Sequence, residues 1–281
     1  MNNRSKMQWY EICVNLPLPL LESTYNFLWL YANGLKVEKQ EKTFLLKAYS
    51  FSYSPDDLLK RLNNFLCIMT RSLRAYYTPP TATTMASFPT DEFIIVPAPA
   101  SYIPPFGIPI LLQRGRAFGI GSHPCTIYCL QAVKDILRDK SKAIQIKQTM
   151  DAGTGTGILV IAAAKLGIHD ITGVEIVNEF IKEAEENVKV NKIVNGIKFL
   201  SCSVTEIKGQ FNLIFANLYG AFLVDIASSL VKQMAPDGWI IIGGMVVPYD
   251  EIVIAKFIRY GLKEHTRYCD EEWSVSVLQK V

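Results

Sequence analysis

The stretch Asp151-Ala152-Gly153-Thr154-Gly155-Thr156-Gly157, running on into Ile158-Leu159-Val160-Ile161-Ala162-Ala163-Ala164-Lys165-Leu166-Gly167, decides how this chain is read. An acidic residue, three alternating glycines and an apolar helix of small residues form the pattern of a loop that cradles a nucleotide-type cofactor. Glycine has no Cβ, so the chain can turn through backbone angles closed to other residues and a ligand can lie against the main chain. The alanines let the following helix pack closely on a sheet.

Spacing separates the cofactors. A dinucleotide fold wants Gly-x-Gly-x-x-Gly, and its third glycine would fall on Ile158. Gly-x-Gly-x-Gly is instead the pattern of S-adenosylmethionine (AdoMet) methyltransferases. Downstream, Ile171-Thr172-Gly173-Val174-Glu175-Ile176 reads as a short buried strand ending in a carboxylate, where the second strand of a doubly wound sheet should end. Glu175 is placed to accept hydrogen bonds from both ribose hydroxyls.

Working outward, Arg116-Ala117-Phe118-Gly119-Ile120-Gly121-Ser122-His123-Pro124-Cys125-Thr126 is a second glycine-bearing loop that runs into a helical pattern to about residue 137. Phe118 would give a bound cofactor apolar contact and Thr126 a hydroxyl near the helix start. The candidate cofactor contacts of the two loops are Phe118, Gly119, Thr126, Asp151, Gly153, Gly155 and Gly157, with Ser203, after the third strand, near an adenine. His123 is read as a hydrogen bonder that orients its loop ahead of a proton acceptor, because the thioether leaving a sulfonium is neutral and needs no acid.

Phe211-Asn212-Leu213-Ile214-Phe215-Ala216-Asn217-Leu218-Tyr219-Gly220 reads as the fourth strand, ending in Asn217 at the sheet edge where ligands bind in open α/β folds. The Asn217 amide oxygen and the Leu218 carbonyl would aim an amine lone pair by accepting its N–H bonds. A strand at 240–242, a helix over 246–259 and a last antiparallel strand over 271–278 complete the domain, with Trp273 expected in the core.

The amino-terminal part alternates as a strand over 9–14, then shows a helix over 20–32 stopped by Asn33-Gly34, strands over 35–38 and 43–51, and a helix from Ser54-Pro55 to about 72. The order βαββα predicts a small α+β, ferredoxin-like domain over 1–75. Residues 76–91, rich in Pro, Thr, Ser and Ala, read as a linker. Strands over 93–96 and 108–112 then lead into a catalytic domain over 92–281.

The chain has 281 residues, 49% of them hydrophobic, and a net charge of +3, so no general field attracts nucleic acid. Its six cysteines lie scattered without a Cys-x-x-Cys, which predicts reduced thiols and a cytoplasmic location. Neither a metal site, a signal peptide nor a membrane span is expected.

Together these motifs resemble the PrmA family, which methylates large-subunit ribosomal protein eleven. The family's Ala-Phe-Gly-Thr-Gly-Thr-His-Pro-Thr-Thr signature is similar to residues 117–126, with Ile120, Ser122 and Cys125 in place of threonines. The likeness extends through 151–157, 159–167, Asn187 with Asn191, Ala216-Asn217 and Glu271-Glu272-Trp273. It implies an AdoMet-dependent methyltransferase with a class I, Rossmann-like α/β sheet that acts on lysine or amino-terminal amines of a ribosomal protein docked by the amino-terminal domain, expected as a monomer. It also places Thr126, Gly153, Glu175 and Asn217 on the family's AdoMet contacts. Glu175 stands where the family usually has Asp, and Leu218-Tyr219 where it has Ile-Leu. The family's Trp-rich joining segment is not recognisable between Arg71 and Asp91. The rival readings are a methyltransferase of RNA or another protein, a nicotinamide-dependent oxidoreductase, and a non-catalytic AdoMet-binding partner of the ribosome.

Overall fold

A computed structural model describes residues 9–51, 53–73, 81–84, 92–100 and 103–281. The chain divides into two compact units, residues 1–114 and 115–281.

The first unit opens with β1 (Tyr10–Leu16), α1 (Leu18–Leu28), β2 (Gly34–Lys39), β3 (Phe44–Ser50), α2 (Pro55–Leu73) and β4 (Thr81–Thr84), and closes with β5 (Phe93–Ala98) and β6 (Ile108–Gln113). β1 buries alternate residues, Ile12, Val14 and Leu16 among them, as a strand with one covered face must. Leu58, Leu62 and Leu66 recur every four residues on α2 and are all fully buried, which gives that helix its apolar stripe. The Ser54 hydroxyl caps α2 by accepting from the Asp57 amide at 3.1 Å.

Sheet order is β4-β1-β3-β2-β5-β6, with β1 antiparallel to both β3 and β4. Three sequence expectations change here. The segment read as a linker contains β4, whose Thr-Ala-Thr-Thr has no apolar period of its own and gains its ladder from β1. β5 and β6 extend this first sheet through Leu35↔Ile95, so the division between units falls after Arg114 and not before residue 92. Gly34 is the first residue of β2 and not a helix stop; α1 ends earlier, at Leu28.

The second unit runs α3 (Pro124–Arg138), α4 (Lys140–Ala143), β7 (Thr149–Ala152), α5 (Ile158–Lys165), β8 (Ile171–Glu175), α6 (Asn178–Val190), β9 (Ile197–Ser201), a 3-10 turn (Val204–Glu206), β10 (Phe211–Asn217), α7 (Gly220–Gln233), β11 (Met234–Val246), α8 (Asp250–Arg259), β12 (Leu262–Cys269) and β13 (Trp273–Lys280). Its seven strands lie in the order β12-β13-β11-β10-β7-β8-β9, all parallel except β13. The order reverses at β7, and in open α/β sheets ligands bind over the carboxyl ends of the strands at such a switch point. One face is sealed by Leu223, Ile226 and Leu230 of α7 and Val253, Ile254 and Phe257 of α8 against Met150, Ile214, Ile240 and Ile242. Burying each such side chain contributes about 1.5–3 kcal/mol, enough to hold the strand ends in register.

Candidate functional site

A cavity of about 520 Å³ opens over the carboxyl ends of the strands in the second unit. That is within the roughly 300–1,000 Å³ of small-molecule sites. Its wall includes Phe118, Gly153, Gly155, Glu175, Ser203, Asn217 and Leu218, so seven of the residues singled out in the sequence converge on one space.

The two glycine loops are stitched together beneath it. The Thr156 amide donates to the Phe118 carbonyl at 3.0 Å and its hydroxyl to the Gly119 carbonyl at 2.7 Å. Asn187 on α6 donates to the Thr156 carbonyl at 2.9 Å, and Asn191 in turn to the Asn187 carbonyl at 2.7 Å. Glu183, four residues before Asn187, accepts the Arg116 amide at 3.0 Å and the Ala117 amide at 2.9 Å. Gly155 is obligatory: φ is +52°, and a Cβ there would meet the Phe118 carbonyl oxygen at 2.5 Å.

Glu175 ends β8, and its carboxylate is held by backbone N–H groups of Ile176 at 2.9 Å, Val177 at 3.2 Å and Gly155 at 3.3 Å. A carboxylate so anchored presents a fixed acceptor to a ligand diol. Ser203 spends its hydroxyl on the following turn, accepting the Thr205 amide at 3.3 Å, and borders the cavity next to Cys202 and Val204.

At the other end, the Asn217 side-chain oxygen is buried and has no hydrogen-bond partner among the described residues. A buried carbonyl oxygen left unpaired costs about 1–3 kcal/mol, and of the residues with such an orphaned side-chain atom among those described, Asn217 is the one that lines the cavity, where a ligand would supply the missing donor. Leu218 is fixed by its amide, which donates to the Gly243 carbonyl at 3.0 Å. Gly244, with φ +80°, allows the Leu218 carbonyl to lie against it; any side chain at Gly244 would collide with that oxygen.

His123 stands between Phe118, 5.1 Å from ring to ring, and Trp273, 4.5 Å. Its Nδ1 accepts the Cys125 amide at 3.2 Å and caps α3. A neutral imidazole with Nδ1 so occupied carries its proton on Nε2, which favours an orienting role over that of a proton acceptor. Burial holds its pKa below the usual histidine value, against a smaller opposing pull from Asp270.

Four sequence candidates stand away from the wall. Asp151 lies below the glycine loop, accepting the Thr154 hydroxyl at 2.7 Å; burial, with Glu175 adding to it, pushes its carboxyl up to about 7. Gly157, with φ +77°, is the N-cap of α5 and packs on Ala184. Gly119 supplies its carbonyl to Thr156. Thr126 is fully buried inside α3, and its hydroxyl finds no partner among the described residues.

Trp273 is only part-buried and belongs to the cavity wall, not the core. Ile176, Phe180, Tyr219, Phe222 and Gly244 also line the cavity and escaped the sequence reading. Gly244 carried a signal, because a Gly-Gly pair ends the buried run Ile240-Ile241-Ile242; the aromatic side chains carried none, since helical spacing gives an exposed Phe and a core Phe alike. All six cysteines are free, and among the described residues no group of three His, Cys, Asp or Glu could hold a metal ion.

Comparison with known proteins gives a consistent picture. The family model for ribosomal protein L11 methyltransferase (PrmA) matches residues 71–281. The ribosomal protein L11 methyltransferases of Citrifermentans bemidjiense and Geobacter metallireducens are each 30% identical, over 97% and 96% of this chain and 98% of their own. The crystal structure of ribosomal protein L11 methylase from Lactobacillus delbrueckii subsp. bulgaricus superposes with a TM-score of 0.60 at 26% identity, covering 68% of this chain and 96% of that one.

Proposed function

The chain belongs to the ribosomal protein L11 methyltransferase family, and from that premise we propose that it transfers methyl groups from AdoMet to amine nitrogens of the L11 protein, on lysine side chains or the amino terminus. The observation that carries the chemistry is the pairing, in one cavity, of an anchored carboxylate at Glu175 with a buried, unpartnered amide oxygen at Asn217.

AdoMet supplies an electrophilic methyl on a positively charged sulfur. Glu175 grips the ribose hydroxyls, Gly153 and Gly155 let the amino-acid part lie on the backbone, and Ser203 borders the adenine. Asn217 Oδ1 and the Leu218 carbonyl accept the N–H bonds of the acceptor amine and so aim its lone pair. A lysine amine has a reference pKa of about 10.4 and must arrive neutral; the apolar wall of Phe118, Trp273 and uncharged His123 disfavours the ammonium by desolvation. Proton release is left to water.

We read the first unit as a ferredoxin-like substrate reader, from its order βαββαβ and strand order β4-β1-β3-β2. No helix among the described residues is long and apolar enough to cross a membrane. We read the enzyme as a monomer that works in the cytoplasm, where it would meet a ribosomal acceptor. Incubation with labelled AdoMet and unmethylated large ribosomal subunits tests the function: label should reside on amines of the L11 protein. Label confined to RNA, or no transfer, overturns it.

A further inference from the structure

α7 and α8 follow β10 and β11 directly, so both helices begin at the strand ends that carry the cavity. They share one face of the sheet, and Gly220 at the start of α7 lies close enough to Val253 for a Cβ to sit 3.4 Å from it. Tyr219 and Tyr249 are the N-cap residues of α7 and α8, and Phe222 and Ile252 stand in the first turns that follow, so each helix start carries an exposed pair, Tyr219 and Phe222 at 83% and 45% exposure and Tyr249 and Ile252 at 68% and 63%. Large apolar side chains this open at the mouth of a catalytic cavity, two of them continuing its wall, form a surface with a use.

Charge says what covers it. The Val247 amide donates to the Glu272 carbonyl at 2.9 Å, which sets the exposed Glu271-Glu272 pair beside the loop leading into α8. Glu251 is taken up by Arg267 at 2.5 Å, whereas the carboxylates of Glu271 and Glu272 make no ion pair among the described residues. Such a margin attracts cations and repels phosphate.

Resting on the function proposed above, we infer that the ridge of Tyr219, Phe222, Tyr249 and Ile252, with Glu271 and Glu272 at its margin, seats the stretch of acceptor protein flanking the target amine, a basic segment carrying an aliphatic residue. The cavity then selects the nitrogen and the ridge selects the sequence around it.

The test compares Tyr249→Ser/Ile252→Ser and Glu271→Lys/Glu272→Lys with wild type in steady-state methylation of the intact L11 protein. Each variant should raise the KM for the acceptor about tenfold, as loss of a central contact does, with kcat and affinity for S-adenosylhomocysteine near wild type. The Lys variant's defect should shrink in high salt, where surface charges are screened. Val194→Ser, equally exposed but in the connection leading into the other end of β9, should leave KM unchanged. Wild-type KM in both variants, or tighter acceptor binding by the Lys variant as an RNA ligand would give, overturns the inference. A wild-type enzyme that methylates no amine of that protein overturns the proposed function instead.

Discussion

The two ends of the cavity are built on opposite plans. Over β7, β8 and β9, backbone and side-chain bonds are closed among themselves: Thr156 to Phe118 and Gly119, Glu183 to the Arg116 loop, and Glu175 to its own turn. Over β10, β11 and β13, the Asn217 side-chain oxygen has no hydrogen-bond partner among the described residues, and Tyr219 and Phe222 stand open to solvent. The closed end suits a ligand that is the same in every turnover. The open end suits one that brings its own hydrogen-bond donors and its own apolar surface.

The hardest blow to that contrast would be at the closed end. Gly155→Val forces a side chain into φ +52° and against the Phe118 carbonyl. Strain of about 1–3 kcal/mol plus the clash should pull the two loops apart and weaken AdoMet binding by more than about a hundredfold in calorimetry. Retained affinity would mean that the stitched loops do not make the cofactor floor. At the open end, Asn217→Ala should lower kcat about a hundredfold, the scale for losing one pre-aligned hydrogen-bonding group, with AdoMet affinity little changed. Equal losses in kcat and affinity would erase the division of labour between the ends.

Glu175→Gln sharpens the same line from the other side. It replaces charge-assisted hydrogen bonds by neutral ones and should weaken AdoMet about tenfold while kcat at saturation holds. The smallest effect belongs to His123, at the seam. Its folded pKa is lowered by burial, so its contribution to stability is complete above the unfolded value of about 6.5 and is lost as pH falls below it. His123→Gln should flatten that acid-side loss by under about 1 kcal/mol in urea unfolding compared near pH 8 and pH 5.5, since solvent screens a part-buried ring. An unchanged acid slope would show that the ring titrates as it does in the unfolded chain.

Sequence reading reached the glycine loop, the strand end at Glu175 and the strand end at Asn217, one or more from each end of the cavity, because their signals are local. Alternating glycines, a buried strand with a terminal acid and an apolar run closing on Asn217 each fit within a dozen residues. What escaped depends on distant partners. β4 is a strand because β1 is there, and β5 joins β2 through Leu35 and Ile95. β12, Leu262–Cys269, sits at the sheet edge with mostly polar residues and has no apolar run to announce it. Asp151 shows the opposite error: an acid in a cofactor motif suggests a contact, yet its carboxyl is spent on Thr154. Burial is a property of the assembled sheet, and the motif does not encode it.

One consequence concerns timing. β13 lies between β11 and β12 although it follows both in the chain, so β12 has no neighbour to pair with until Trp273–Lys280 has been made. Because Trp273 opens that strand and walls the cavity beside His123, a growing polypeptide can assemble the glycine floor early, but acquires a finished reaction chamber only after this late insertion.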